Sequence, residues 1–353
     1  MSEWKTVRLG DVCILEKGQQ IDTSLLDDSK TYRYINGGIK ESGYFDKFNT
    51  SGESVLISEG GASCGYINYV NEDIWCGCHC YRLHDIKVFP KYLFHALKAN
   101  QQRIMALRTG SAMPNIQKST IQKFQLKIHD DLTTQKNIST ILDKCNELIE
   151  KYKKMLEKYD TLIKSRFIEM FGDPVTNPMG WEVRKLKETT DIITGNTPSR
   201  KDKENYGTFI EWIKTDNITD KTYITTAAEY LSEKGEKLGR TVEPGSILMA
   251  CIAGSLRSIG RVALTDRKVA FNQQINAIIP KQYNILFLYV LFQNTQSYAQ
   301  STVNMALKGI LSKGKLEELE YILPPIELQN QFVTVVQQID KSKFEYIYTG
   351  VAA

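Results

Sequence analysis

The sequence contains no apolar run approaching the ~18 residues of a membrane span. Its opening, Met1-Ser2-Glu3-Trp4-Lys5, lacks the basic-then-apolar layout of a secretory signal, so the chain is expected to work in the cytoplasm. Its seven cysteines are an odd number, expected there to be reduced thiols rather than a disulfide framework. Charge of one sign is scarce as well. Lys+Arg number 45 and Asp+Glu 41, a net charge of +4, too small to announce nucleic-acid binding by bulk charge, so any such contact must use local clusters. Recognisable catalytic patterns are missing too. Gly60-Gly61-Ala62-Ser63-Cys64-Gly65 lacks the order and the lysine of a nucleotide-binding loop and reads as a tight turn between strands. No HExxH or other metal-binding carboxylate pattern stands out, and Leu323-Pro324-Pro325-Ile326 has neither the Asn nor the aromatic of an amino-methyltransferase motif. The chain is therefore expected not to be an enzyme.

What is present is an ordinary globular composition, 42% hydrophobic and 24% charged over 353 residues, enough for two or three domains at ~150 residues each. The decisive feature is internal repetition. Trp4, Leu9 and Gly18 recur as Trp181, Leu186 and Gly195, all at an offset of 177, within WKTVRLGDVCILEKG and WEVRKLKETTDIITG. Further on the offset becomes 195, where Gly65, Tyr92, Ile116, Ile121 and Phe124 match Gly260, Phe287, Leu311, Leu316 and Leu319. At 194, Leu132, Gln135, Ile138 and Leu142 match Ile326, Gln329, Phe332 and Val336. The repeating unit is a globular domain followed by an appendage.

Each globular part reads as mixed α+β. In the first, Ser54 to Ser58 and Tyr66 to Val70 are strand candidates and Pro90 to Arg108 carries a helical pattern. In the second, the counterparts are Ser246 to Ala250, Arg261 to Leu264 and a helix near Ile285 to Gln300. Residues 132–171 differ in kind, with neither Gly nor Pro and a helix stop at Gly172-Asp173-Pro174. Their apolar residues fall in seven-residue columns, Leu142, Ile149, Leu156 and Ile163 in one, Ile138, Cys145, Tyr152 and Tyr159 in the next, a coiled-coil signature about 55 Å long. Such a face must bury against another helix. The obvious partner is the second appendage, with Phe332, Val336 and Ile339 on the same columns. It is expected to be short, because Lys343 stands where the next core residue should fall. The expected organisation is a domain over 1–131, a long helix over 132–174, a second domain over 175–325, and a shortened helix and tail over 326–353.

Several features together resemble the DNA specificity subunit of type I restriction-modification enzymes: tandem domains opening on Trp and Leu, Phe171-Gly172-Asp173-Pro174 followed by Asn177-Pro178-Met179-Gly180-Trp181, the stretch Phe271-Asn272-Gln273-Gln274, and Leu323-Pro324-Pro325 before Gln329. The resemblance covers essentially the whole chain. It implies two similar target-recognition domains separated by long coiled-coil helices, each reading one half of a bipartite site on double-stranded DNA. It also implies methyltransferase subunits docked on the helices, motor-nuclease subunits joining for restriction, and S-adenosylmethionine and ATP on those partners rather than on this chain. A rigid spacer between two readers fixes the number of unread base pairs between the half-sites. The runner-up is a coiled-coil adaptor that binds only protein.

Candidate DNA contacts follow from residue type and place. Arg108 and Gly110 in the first copy, and Lys308 with Gly309 in the second, put a cation beside glycine after the helical segment, which suits close approach to a phosphate backbone. Arg257, Arg200 and Lys201 are cation-bearing turns, and Lys214 with Asn217 offers polar groups to base edges. Arg33, Tyr34 and Asn36 interleave cation, aromatic and amide as a base-reading strand would. Each has an ordinary alternative, a solvated loop or the alternating exposure of a half-buried strand. Cys76-Gly77-Cys78-His79-Cys80 invites a metal, but alternation by two would equally make its thiols small core residues on one face of a strand, and no metal is expected.

Overall fold

The computed structural model describes residues 3–110, 112–303 and 309–351, with Lys341 the last side chain it describes. Two compact units result, residues 1–151 and 152–353.

In the first unit, β1 (Trp4–Arg8) pairs antiparallel with β9 (Gln125–His129), closing the domain's two ends on each other. Between them run α1 (Leu9–Val12), β2 (Ile14–Lys17), β3 (Tyr32–Ile35), β4 (Tyr44–Phe45), β5 (Ser54–Ser58), β6 (Ile67–Val70), β7 (Trp75–Cys76), β8 (Cys80–His84), α2 (Pro90–Ala99), α3 (Gln101–Met105) and α4 (Lys118–Gln122). One sheet is antiparallel in the order β2-β8-β5-β6; a second, β4-β3-β7, contains the parallel pair β3–β7. Helix α5 (Leu132–Phe171) follows.

The second unit repeats the plan with β10 (Val183–Lys185), α6 (Leu186–Thr189), β11 (Thr190–Thr194), β12 (Tyr206–Ile213), β13 (Tyr230–Leu231), α7 (Glu233–Leu238), β14 (Thr241–Val242), β15 (Ile247–Ala250), β16 (Val262–Leu264), β17 (Val269–Phe271), β18 (Ile275–Pro280), α8 (Ile285–Asn294), α9 (Gln296–Ser301), α10 (Lys313–Glu318) and β19 (Glu320–Ile322), then α11 (Ile326–Val351). β10 pairs with β19, the antiparallel sheet runs β11-β18-β15-β16, and the mixed sheet runs β13-β12-β17-β14 around the parallel pair β12–β17. The two lobes share one core topology, as the repeat requires, the second adding α7 and the edge strand β14. Even the helical segments break alike, at Asn100 and Thr295, both near the bridge region of backbone space.

Local chemistry explains the long helix. Asp131 caps its start by accepting from Thr134 N at 2.7 Å, and Gly172, in the left-handed region at φ +73°, stops it by donating to Ile168 O at 2.8 Å. Each end of α5 is sewn to a different core. Ile138 packs on the first domain's core, while Phe167 and Phe171 lie fully buried in the second unit among Phe287 and Phe332, with ring centroids 5.0 to 6.3 Å apart. Ile163, Phe332 and Val336 pack in that second-unit core, and Ile339 is buried further along α11. Leu142, Ile149 and Leu156 do not find that cover: they remain 39%, 50% and 39% exposed. The second appendage continues as helix to Val351, beyond Lys343, because its backbone meets no Gly until Gly350 and no Pro. Among the described residues, no helix is long and apolar enough to cross a membrane.

Candidate nucleic-acid interface

In the first domain, the loops that follow β3, β5 and β7 meet the loop running from Arg108 to Asn115. Gly61 N donates to Pro114 O at 2.9 Å, Glu59 N to His79 O at 2.8 Å, His79 N to Asn36 Oδ1 at 3.1 Å, and Ser63 Oγ to Gly37 O at 2.8 Å. They enclose a cleft of about 320 Å³ whose lining includes Asn36, Gly61, His79 and Asn115. Beneath it Glu59 is buried, and Lys17 Nζ at 2.7 Å and the Tyr81 hydroxyl at 3.0 Å satisfy its charge. Gly110, at φ +87°, bends the loop that carries exposed Arg108. Asn36, Arg108 and Gly110 thus belong to one connected set of loops.

Two first-domain candidates do not belong there. Tyr34 is 1% exposed, so it is a core residue with no ring to offer a duplex. Ile35, the next residue, is buried as well, so this end of the strand is covered on both faces and does not follow the alternation that suggested it. Arg33 is half-buried and paired with Glu72. The cysteine cluster also departs from the single-strand expectation: Cys76 ends β7, Cys80 begins β8, and residues 77–79 form the turn between them. Cys76 and Cys80 are buried, while Cys78 points its thiol to Gln20 Oε1 at 2.9 Å. Among the described residues, no group of three His, Cys, Asp or Glu side chains is placed to hold a metal ion.

Register pairs the second domain with the first. Ile35 lies beside Cys76 in one parallel pair and Ile213 beside Phe271 in the other, so Trp212 and Lys214 occupy the places of Tyr34 and Asn36. Gly18 and Gly195 correspond too: a Cβ on either would sit 2.3 Å from Gly77 O or 2.2 Å from Asn272 O. Lys214 follows β12 directly, as Asn36 follows β3. Its ammonium and the Arg200 guanidinium both bind Glu229, Arg200 Nη2 at 2.7 Å, and hydrogen bonds from Lys214 and then Arg200 hold the Glu229 carboxyl below its ordinary range. Both cations lie over the Trp212 ring, at 5.2 and 5.1 Å, and Arg200 also lies over Tyr206 at 5.1 Å.

Asn217 is committed to its own turn. Its Oδ1 accepts from Lys214 N at 3.0 Å and its Nδ2 donates to Thr226 O at 3.0 Å, so it shapes the loop rather than presenting a free amide. Arg257 is exposed on the β15–β16 loop, and Lys201 is exposed beside Arg200. Lys308 lies outside the described residues. Sequence reasoning missed Glu229 and Trp212 and considered His79 only within a metal-inviting cluster; the spacing of Trp212 and Lys214, two apart at the end of β12, was the one hint of their cooperation.

The matching family model is the type I restriction modification DNA specificity domain, over residues 1–158 and again over 178–348. The chain belongs to this family. It is 32% identical over 159 residues to a Mycoplasma pneumoniae protein described as a type I specificity subunit, covering 42% of each chain. It is 34% identical over 140 residues to the HindI specificity subunit of Haemophilus influenzae, covering 39% of this chain and 28% of that one. The matched stretches thus span less than half the length of these two relatives. The fold matches the crystal structure of the type I restriction-modification S subunit from M. genitalium with a TM-score of 0.66 at 20% identity, covering 99% of this chain and 92% of that one.

Proposed function

We propose that this chain addresses a type I restriction-modification assembly to its DNA site, each domain reading one half of a bipartite sequence and α5 setting the distance between the halves. One observation carries this reading: the same topology occurs twice, but with different side chains at equivalent loop positions, Asn36 in one copy and Lys214 in the other. Two readers with one scaffold and unlike edges suit an asymmetric target.

The chain itself catalyses nothing in this reading. Methyltransferase subunits, which bring S-adenosylmethionine, dock on the helices, and the half-exposed Leu142, Ile149 and Leu156 of α5 supply apolar surface for them. Motor-nuclease subunits, which use ATP, join for restriction. The methyltransferase, not this chain, takes the target base out of the duplex.

Methylation mapping of host DNA with the chain present and deleted tests the function. The expected result is an interrupted, non-palindromic motif that loses its methyl groups on deletion. A DNA-shift assay with and without methyltransferase subunits separates this reading from a protein-only adaptor, which would shift no DNA in either case.

A further inference from the structure

We infer that Glu229 is a charge gate on the second domain: its carboxylate holds the seat between Arg200 and Lys214 that a DNA backbone phosphate takes on binding, and so suppresses the grip on arbitrary DNA. The inference rests on the DNA-reading function and goes beyond it by assigning a role to an acidic residue.

The geometry is that of an occupied anion seat. One carboxylate oxygen accepts from Arg200 Nη2 at 2.7 Å and the other from the Lys214 ammonium. Two oxygens on one centre, each taking one cation, is also what the non-bridging oxygens of a phosphodiester present. The cations do not depend on the carboxylate for their place, because the Trp212 ring underlies both and Tyr206 underlies Arg200. Trp212 is itself buried, so that platform is fixed. Removing the carboxylate would leave two positioned positive charges rather than two loose side chains.

The seat is open to exchange. The side chains of Arg200, Lys214 and Glu229 are 56%, 31% and 36% exposed, and ion pairs at such exposure are worth little, so a phosphate can replace the carboxylate without stranding either cation. Lys214 stands just past the parallel strand β12, at the place in its own domain that Asn36 holds among the first domain's interface loops. At the equivalent positions of the first domain stand buried Tyr34 and uncharged Asn36, so the same pair of stacked cations is not built there. The gate therefore belongs to one half-site only. Its effect is to weaken sequence-independent backbone attraction, which otherwise dominates non-specific binding, and so to leave discrimination to base contacts.

The test uses the full chain and a mixed-sequence duplex, with anisotropy titrations across a salt series for the native chain, Glu229→Gln, Arg200→Gln and the double variant. Glu229→Gln is expected to bind about five- to tenfold tighter near 0.1 M salt, with a log affinity against log salt slope steeper by about one, as one further phosphate contact would give. Arg200→Gln is expected to cost more affinity in the Glu229→Gln background than in the native chain. Glu229→Asp, which keeps the charge but draws it back by one methylene, is expected to fall between, and it carries the same test if the glutamine variant does not fold. Unchanged or weaker binding by a variant that melts like the native chain overturns the gate and leaves Glu229 a structural partner. Failure of every variant to bind duplex, both alone and with methyltransferase subunits added, overturns the DNA-reading function, and the gate with it.

Discussion

Two buried glutamines show how single side chains tie each appendage to its domain. Gln329 accepts from Asn284 N at 2.8 Å, at the head of α8, and donates to Pro324 O at 2.8 Å. Gln135 does the same in the first copy, accepting from Phe89 N at 2.8 Å at the head of α2 and donating to His129 O at 2.7 Å. Each satisfies a helix-start N–H that has no partner within the helix. Gln329→Leu keeps the bulk and leaves one buried and one part-buried backbone group unpaired, so it should destabilise the protein by about 1–3 kcal/mol in urea unfolding. A change within the error of that measurement would remove the latch. The two glycines at the repeat anchors set an equally local limit. Gly195→Ala brings a Cβ against the Asn272 carbonyl, which is backbone and cannot swing away, and a loss of about 1–3 kcal/mol is expected in the same assay. Both pairs were visible in the sequence as repeat anchors. Their reasons were not, because each depends in part on atoms 45 or more positions away.

At the scale of elements, α5 is held differently at its two ends. At the first domain Asp143 binds Lys91 at 2.9 Å and His95 Nε2 at 2.9 Å. Burial pushes the Asp143 carboxyl up, but the hydrogen bonds from Lys91 and His95 outweigh it and leave the group below its ordinary range. A carboxyl lowered in the folded state adds stability that is fully present above its unfolded value and is lost as pH falls through the folded one. Asp143→Asn should therefore cost about 1 kcal/mol at neutral pH, and the gap from the native chain should close as melts are taken down through about pH 4 and below. At the second domain the hold is aromatic. Phe332→Ala empties the site between Phe167, Phe171 and Phe287 and should cost about 3–5 kcal/mol, measured by denaturant midpoint. The helix itself was legible from its lack of Gly and Pro and its heptad columns. Which residues bury it was not, since periodicity marks a face but does not name what covers it.

For the whole molecule, the proposed ruler makes a numerical prediction. Inserting one heptad after Lys151 lengthens α5 by ~10 Å, about three base pairs of duplex, so the unread gap in the methylated motif should widen by about three. An unchanged gap would separate helix length from site geometry. The duplicated plan, the α+β lobes and the long helix were determined by the sequence alone, because internal repetition and apolar periodicity are properties of order along the chain. The state of each candidate contact was decided only by tertiary structure. Tyr34 alternates like a surface residue but faces a core. Lys214 and Arg200 look like free cations until Glu229, 15 and 29 positions further on, is folded against them. Whether a charge stands open or answered depends on what the fold brings beside it, and no local pattern carries that information.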